Sequence, residues 1–230
     1  MRLQLEYSPS HFDWLAQYAR NLYSQFGEDG ILAKIFEVIG TANRWCAEVG
    51  ASDGITWSNT RRLIEQGWDA VQIEGDDDRA ARLAVRYKNN SKVHVYPCRV
   101  DLIAGPTLED ILARAGCPTD LDLLVIDVDG EDYHFFNSLW KYKPRVVMVE
   151  YNSEPLHPEQ VPAIGEGNIQ TQAGFKPLLG VAYARGYFSL CRTNVNLICV
   201  REDLAGLLVD PQVIAEELRK QAGEEDAAEK

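Results

Sequence analysis

The sequence has no apolar run of about 18 residues, the length a membrane-spanning helix requires, and its opening residues MRLQLEYSPS lack the apolar core of a secretion signal. Both absences predict a cytoplasmic chain with no membrane span. Positive charge is also short: 23 Lys and Arg stand against 35 Asp and Glu, a formal net charge of −12. No basic stripe is present to neutralise phosphates, which argues against a nucleic-acid partner. The five cysteines, at positions 46, 98, 117, 191 and 199, are odd in number and widely spaced, with no C-x-x-C pair. That pattern excludes a zinc cluster of paired cysteines and a disulfide framework, and reads as reduced thiols. No internal repeat stands out, and 230 residues suffice for one sizeable core rather than two full domains.

The organising stretch is WCAEVGASDG, residues 45–54. A short apolar run ends in a carboxylate, two glycines follow, and a helical pattern comes next. This is the strand, tight turn and helix that brings a nucleotide-like ligand onto the first strand of an open α/β sheet. A dinucleotide fingerprint needs three glycines as G-x-G-x-x-G, and here Ser52 occupies one of those positions. Glu48, Gly50 and Gly54 are closer to the E/D-x-G-x-x-x-G loop of S-adenosylmethionine enzymes. Gly50 and Gly54 are expected to let the backbone approach the ligand.

Along the chain, residues 8–23 predict an amphipathic helix capped by Ser8, and residues 31–39 a second one. Between them SQFGEDG is a polar break, in which Gln25, Glu28 and Asp29 either cap helices or line a ligand site. Strands are expected at 45–49, 70–74, 93–97, 121–127 and 145–150, and helices near 56–66, 76–88, 106–115 and 133–140. The run LLVI within the fourth strand has no polar alternation, as a parallel strand covered on both faces requires. Residues 151–168 form a Pro- and Gly-containing loop, long enough to be a substrate lid. A helix at 178–185 and a hairpin of strands at 187–191 and 196–200 follow. The reading is an α/β chain: a helical cover over 1–44, one mostly parallel seven-stranded Rossmann-like domain with a C-terminal antiparallel hairpin over 45–210, and a terminal helix with a charged tail over 211–230.

SQFGEDG, EVGASDG, IDVDGEDY and VVMVEYN, in that order, resemble the FkbM-like branch of class I S-adenosylmethionine-dependent methyltransferases. The likeness spans roughly residues 18–200 and is closest to members of the polysaccharide-biosynthesis type. It implies a three-layer class I fold, a bound methyl donor, and O-methylation of a sugar or glycan-related hydroxyl.

Open α/β sheets bind ligands beyond the carboxyl ends of their strands. Glu48 is therefore expected to accept from the methionine ammonium, with the backbone of Gly50, Ser52 and Gly54 against the donor and Asp53 serving loop or ligand. Glu74, ending the second strand, suits the ribose hydroxyls, and Asp101 the adenine region; Gln25 and Asp127 complete the donor set. Asp127 with Asp129, and Glu150 with Asn152, are pairs two residues apart that point the same way in extended backbone. Three readings stay open for them: a general base for the acceptor hydroxyl, a Mg²⁺ site of Asp127, Glu150 and Asn152, or plain turn structure. His157, in the lid, is a further base, and His134 reads as a packed histidine. The competing functions are an NAD-dependent oxidoreductase and a binding protein that keeps the fold without transfer. A homo-oligomer is compatible with the sequence.

Overall fold

In the computed structural model, which describes residues 9–216 apart from 155, 156 and 158, the most apolar runs form the middle of one sheet. Its strands are β1 (Trp45–Val49), β2 (Asp69–Glu74), β3 (Val93–Pro97), β4 (Leu123–Ile126), β5 (Val146–Glu150), β6 (Tyr187–Arg192) and β7 (Asn196–Arg201). Their spatial order is β3-β2-β1-β4-β5-β7-β6. The first five are parallel, and β7 runs antiparallel between β5 and β6. The seven-stranded sheet with its C-terminal antiparallel hairpin is as expected. A dinucleotide-binding sheet is parallel throughout in the order 3-2-1-4-5-6, so the inserted antiparallel strand removes the fold basis of the oxidoreductase reading.

Side-chain alternation sorts the core into two layers. Leu124, Ile126, Val147 and Val149 face α4 (Leu108–Arg114), α5 (Asp132–Asn137) and α6 (Phe175–Ala184). Leu123, Val125, Val146 and Met148 face α1 (Glu28–Ile39), α2 (Arg61–Glu65) and a 3₁₀ segment, Pro9–Tyr18. All eight of these strand side chains are fully buried, which is why neither β4 nor β5 shows a polar face. The other helices are α3 (Asp77–Tyr87), capped by Asp76 accepting from Arg79 N–H, and the short α7 (Glu202–Ala205).

Several helices differ from the sequence pattern, each for a local reason. The first stops at Tyr18, because the Asp29 carboxylate takes the amides of Leu22, Tyr23 and Ser24 at 2.9, 2.7 and 2.8 Å and holds them out of a helix. The Ser8 cap lies outside the described residues, as do residues 217–230 of the expected tail. α2 begins only at Arg61, since the preceding turn is hydrogen-bonded to Glu48. Opposite the carboxyl ends, Asp122 pairs with Arg145 at 2.5 Å and accepts the amides of Ala42, Asn43 and Arg44. Arg145 also donates to the carbonyls of Ile39 and Gly40, which fixes the end of α1 to the base of the sheet.

Candidate functional site

The carboxyl ends of β1, β2, β4 and β5 carry the acids singled out in the sequence, and the structure uses them differently. Glu48 is 3% exposed, with Oε1 accepting from Asn59 N–H at 2.9 Å and Oε2 from the hydroxyls of Ser58 (2.9 Å) and Thr60 (2.5 Å). Burial pushes its carboxyl up and those hydrogen bonds oppose the rise. Its carboxylate clamps the turn before α2, and Oε1 retains one acceptor site.

Gly50 sits at φ 84°, and a Cβ there would come within 1.7 Å of the Asp127 carbonyl oxygen. The close approach is therefore to the end of β4 rather than to a ligand. Gly54 likewise backs onto Leu83 and Tyr87 of α3. Asp53 Oδ1 accepts from the amides of Ile55 and Thr56, with Oδ2 taking the Thr56 hydroxyl, and these bonds, the Thr56 amide foremost, lower its carboxyl. Asp101 turns into its own loop, accepting from Ile103 and Ala104 N–H, so its side chain serves the loop and not the adenine region.

Glu74 keeps its expected place at the end of β2. Its Oε2 accepts from Ser52 N–H at 2.7 Å and its Oε1 from Asp76 N–H at 2.8 Å, one bond per oxygen. A carboxylate oxygen has two acceptor sites, so each oxygen retains one for a diol. The free acceptor sites of Glu74 fit the ribose diol of S-adenosylmethionine.

Within SQFGEDG, Glu28 and Asp29 stand in the first turn of α1, where the N-cap is Gly27 without a side-chain cap, and their carboxylates tie neighbouring loops to the helix. Glu28 is fully buried and accepts from Phe26 N–H, the Thr193 hydroxyl and the Asn196 amide, tying α1 to the turn between β6 and β7. Gln25 is half-buried, and its carbonyl accepts from the Asn21 amide.

At the ends of β4 and β5 the carboxyls meet each other. Ile126 pairs with Val149, which sets Asp127 and Glu150 side by side as β4 and β5 end. Burial, then the neighbouring Glu150 charge, raises Asp127 well above the usual carboxylate range. Burial pushes Glu150 up to about 7, the Asp129 charge adding to the rise while the Gln172 amide, 3.0 Å from Oε2, works against it. Two half-buried carboxyls side by side titrate as a pair. Asp129 is exposed at φ 57°. Sequence reasoning missed two residues here. Asp132, 1% exposed, accepts from Val128 and Gly130 N–H at 2.9 Å each, and burial and Glu150 push it to about 7. The Asp-Gly turn followed by an acid was a usable signal for Asp132; none existed for Gln172, which lies 22 residues beyond its partner Glu150.

Asn152 does not join the acid pair. Its Oδ1 accepts from Glu154 N–H and its Nδ2 donates to Gln170 carbonyl, both within the long loop. The expected Mg²⁺ set of Asp127, Glu150 and Asn152 is therefore not assembled, and among the described residues no group of three His, Cys, Asp or Glu side chains is placed to hold a metal. His157 is exposed, and among the described residues no hydrogen bond or ion pair joins its ring to Asp127 or Glu150. His134 packs edge-on to Tyr133 and donates from Nε2 to the Pro162 carbonyl at 2.8 Å.

The loop after β5 is a strap. Glu131 Oε1 accepts from Gly165 and Gly167 N–H at 3.1 and 2.9 Å. Gly130 and Gly167 meet so closely that a Cβ on either would lie 2.5 Å from the other's backbone. Beside the strap lies a cavity of 760 Å³, lined by Phe26, Tyr151 and Phe175 and by Asn152, Lys176 and Arg192 among other residues. Neither Glu150 nor Asp127 is among its lining residues.

No family profile matches the chain, and no curated protein matches it. Solved structures do. A putative O-methyltransferase from Klebsiella pneumoniae aligns with TM-score 0.52 at 12% identity, over 86% of this chain and 92% of that one. The N-terminal domain of EvdMO1 with SAH bound aligns at 0.46 and 16% identity, over 78% and 82%. A magnesium protoporphyrin IX methyltransferase from Synechocystis with bound SAH aligns at 0.45 and 11%, over 82% and 92%. With five parallel strands, an antiparallel β7 set between β5 and β6, and helices on both faces, the chain has the class I S-adenosylmethionine-dependent methyltransferase fold.

Proposed function

We propose that the chain is an FkbM-like S-adenosylmethionine-dependent O-methyltransferase acting on the hydroxyl of a sugar or glycan-related small molecule. The observation that carries this reading is the Asp127–Glu150 pair, half-buried neighbours at the ends of β4 and β5 that are both raised above the usual carboxylate range. When bound, the donor supplies an electrophilic methyl group on a sulfonium. Asp127 holds the shared proton, which leaves Glu150 as the group that takes the acceptor's hydroxyl proton as its oxygen is methylated. A base of pKa about 7 is matched to that task near neutral pH. Gln172 fixes the orientation of Glu150, and Glu74 holds the donor's ribose. The strap over residues 151–174 excludes water from the acceptor. Mg²⁺ has no part in this proposal, because Asn152 is turned into the strap and the two acids are turned to each other.

The test is a calorimetric titration of the folded protein with S-adenosylhomocysteine. Binding that weakens about tenfold in Glu74→Ala, as loss of hydrogen bonds to a charged group predicts, supports the reading. No heat with the wild-type protein contradicts it.

A further inference from the structure

The strap is tied down by polar groups rather than by apolar burial. Every residue from 161 to 171 is exposed or half-buried, and Val161, Ile164 and Ile169 turn large apolar side chains to solvent. Hydrogen bonds hold the segment instead. His134 Nε2 lies 2.8 Å from the Pro162 carbonyl oxygen, Glu131 Oε1 accepts from Gly165 and Gly167 N–H, and the Gln172 side-chain amide donates to Glu150. A segment with so little buried apolar contact lies at the low-stability end of a fold and opens before the core does.

Glu131 is the N-cap of α5, yet its carboxylate makes no capping hydrogen bond to that helix. Oε1 is given to the strap, and Oε2 is buried with no hydrogen bond among the described residues. A charged oxygen withdrawn from water without a donor is costly, so the closed arrangement carries a cost that opening relieves. From Gly167 the way to Glu150 is short and hydrogen-bonded. Asn168 N–H donates to Thr171 Oγ1 at 3.1 Å, and the Asn168 carbonyl accepts from Thr171 and Gln172 N–H at 2.9 and 2.7 Å. The Gln172 side chain then reaches Glu150 Oε2 at 3.0 Å. Residues 168–172 are one closed turn, so a displacement at Gly167 moves Gln172 with it. On the facing side, the Asp132 carboxylate braces the turn after β4 by accepting from Val128 and Gly130 N–H. Glu131 and Asp127 are both carried by that braced turn.

Resting on the reading of Glu150 as the base, we propose that Glu131 is a positioning residue of the acceptor site: its carboxylate latches the strap, and the latched strap sets the Gln172 amide against Glu150. Release of the latch lifts the strap and takes the orienting amide from the base in the same movement. The base is then aligned only when the site is closed over, as a lid that completes a catalytic arrangement requires.

The experiment follows the Gln172 side-chain amide of the full chain by ¹H–¹⁵N NMR, its signals identified by their loss in Gln172→Ala. Glu131→Ala is expected to move these signals to the position of a solvent-exposed glutamine and to speed their exchange with water about tenfold, the equivalent of a hydrogen bond to a charged group. Glu131→Gln, whose carbonyl oxygen still accepts twice, should leave them in place. Gly167→Ala prises the strap away without touching a charge, because its Cβ would lie 2.5 Å from the Gly130 carbonyl oxygen. It should reproduce Glu131→Ala, and it decides the matter if Glu131→Ala does not fold. Two results overturn the inference: Gln172 signals that stay in place in the folded variant, or Glu131→Gln behaving as Glu131→Ala does. A parallel titration with S-adenosylhomocysteine separates the two claims. Donor binding with unmoved Gln172 signals rejects the latch alone, and a latch response without donor binding rejects the transferase.

Discussion

Glu48 and Glu150 are glutamates near the carboxyl ends of central strands of one sheet, and both are withdrawn from water, yet they end in opposite chemical states. Glu48 is surrounded by donors, an amide and two hydroxyls, that spend most of its acceptor capacity on the turn before α2. Glu150 faces the Gln172 amide and the Asp129 backbone N–H, and beside them a second acid, Asp127. The first arrangement stabilises a loop, and the second leaves a proton to move. A buried acid in this fold is therefore read by what faces it, not by its position at a strand end.

The comparison breaks most visibly in catalysis. Glu150→Gln and Asp127→Asn are each expected to lower methyl transfer by about 10²- to 10⁴-fold, the usual worth of a general base, with S-adenosylhomocysteine affinity retained. Steady-state rates with an identified acceptor and calorimetry check the two halves. Glu48→Ala should act on stability instead. Leaving Ser58, Asn59 and Thr60 without their acceptor costs about 3 kcal/mol, read as a lower urea midpoint, and the effect should exceed that of Glu150→Gln.

The pH dependence sharpens the contrast. Glu150 and Asp132 hold their protons more tightly folded, at about 7 each, than their ordinary values of 4.5 and 3.8 allow unfolded. Between those limits the native state binds more protons than the unfolded one, so stability is greatest at the acid end and falls as pH rises toward 7. A loss of several kcal/mol over that window, reduced in Asp132→Asn, is expected from urea unfolding at a series of pH values. The smallest effect concerns Gln172, whose amide lowers the Glu150 value. Gln172→Ala should raise the midpoint of the pH–rate profile by about half a unit to one unit, the equivalent of one hydrogen bond.

Much of this was legible in the residues. Unbroken apolar runs such as LLVI and VVMV located the central strands, and the order of the motifs located Glu74, Asp127 and Glu150 at their ends. What the sequence did not show is which donors reach each acid. Glu48 read only as a ligand residue because Ser58, Asn59 and Thr60 lie ten to twelve positions away, folded back onto it by a turn with no motif of its own. Asn152 looked like a metal ligand because alternation places it beside Glu150, whereas the backbone leaves the strand there and its amide closes the strap onto Gln170.

The measurement that bears most directly on the account is a ¹³C-carboxyl NMR titration of Glu150, assigned with Glu150→Gln and repeated in Asp127→Asn. The account predicts a midpoint near 7 in the wild-type protein, moving when Asp127 is replaced. A midpoint near the ordinary 4.5, unmoved by Asp127→Asn, would mean that the two acids do not share a proton and that Glu150 is not the base.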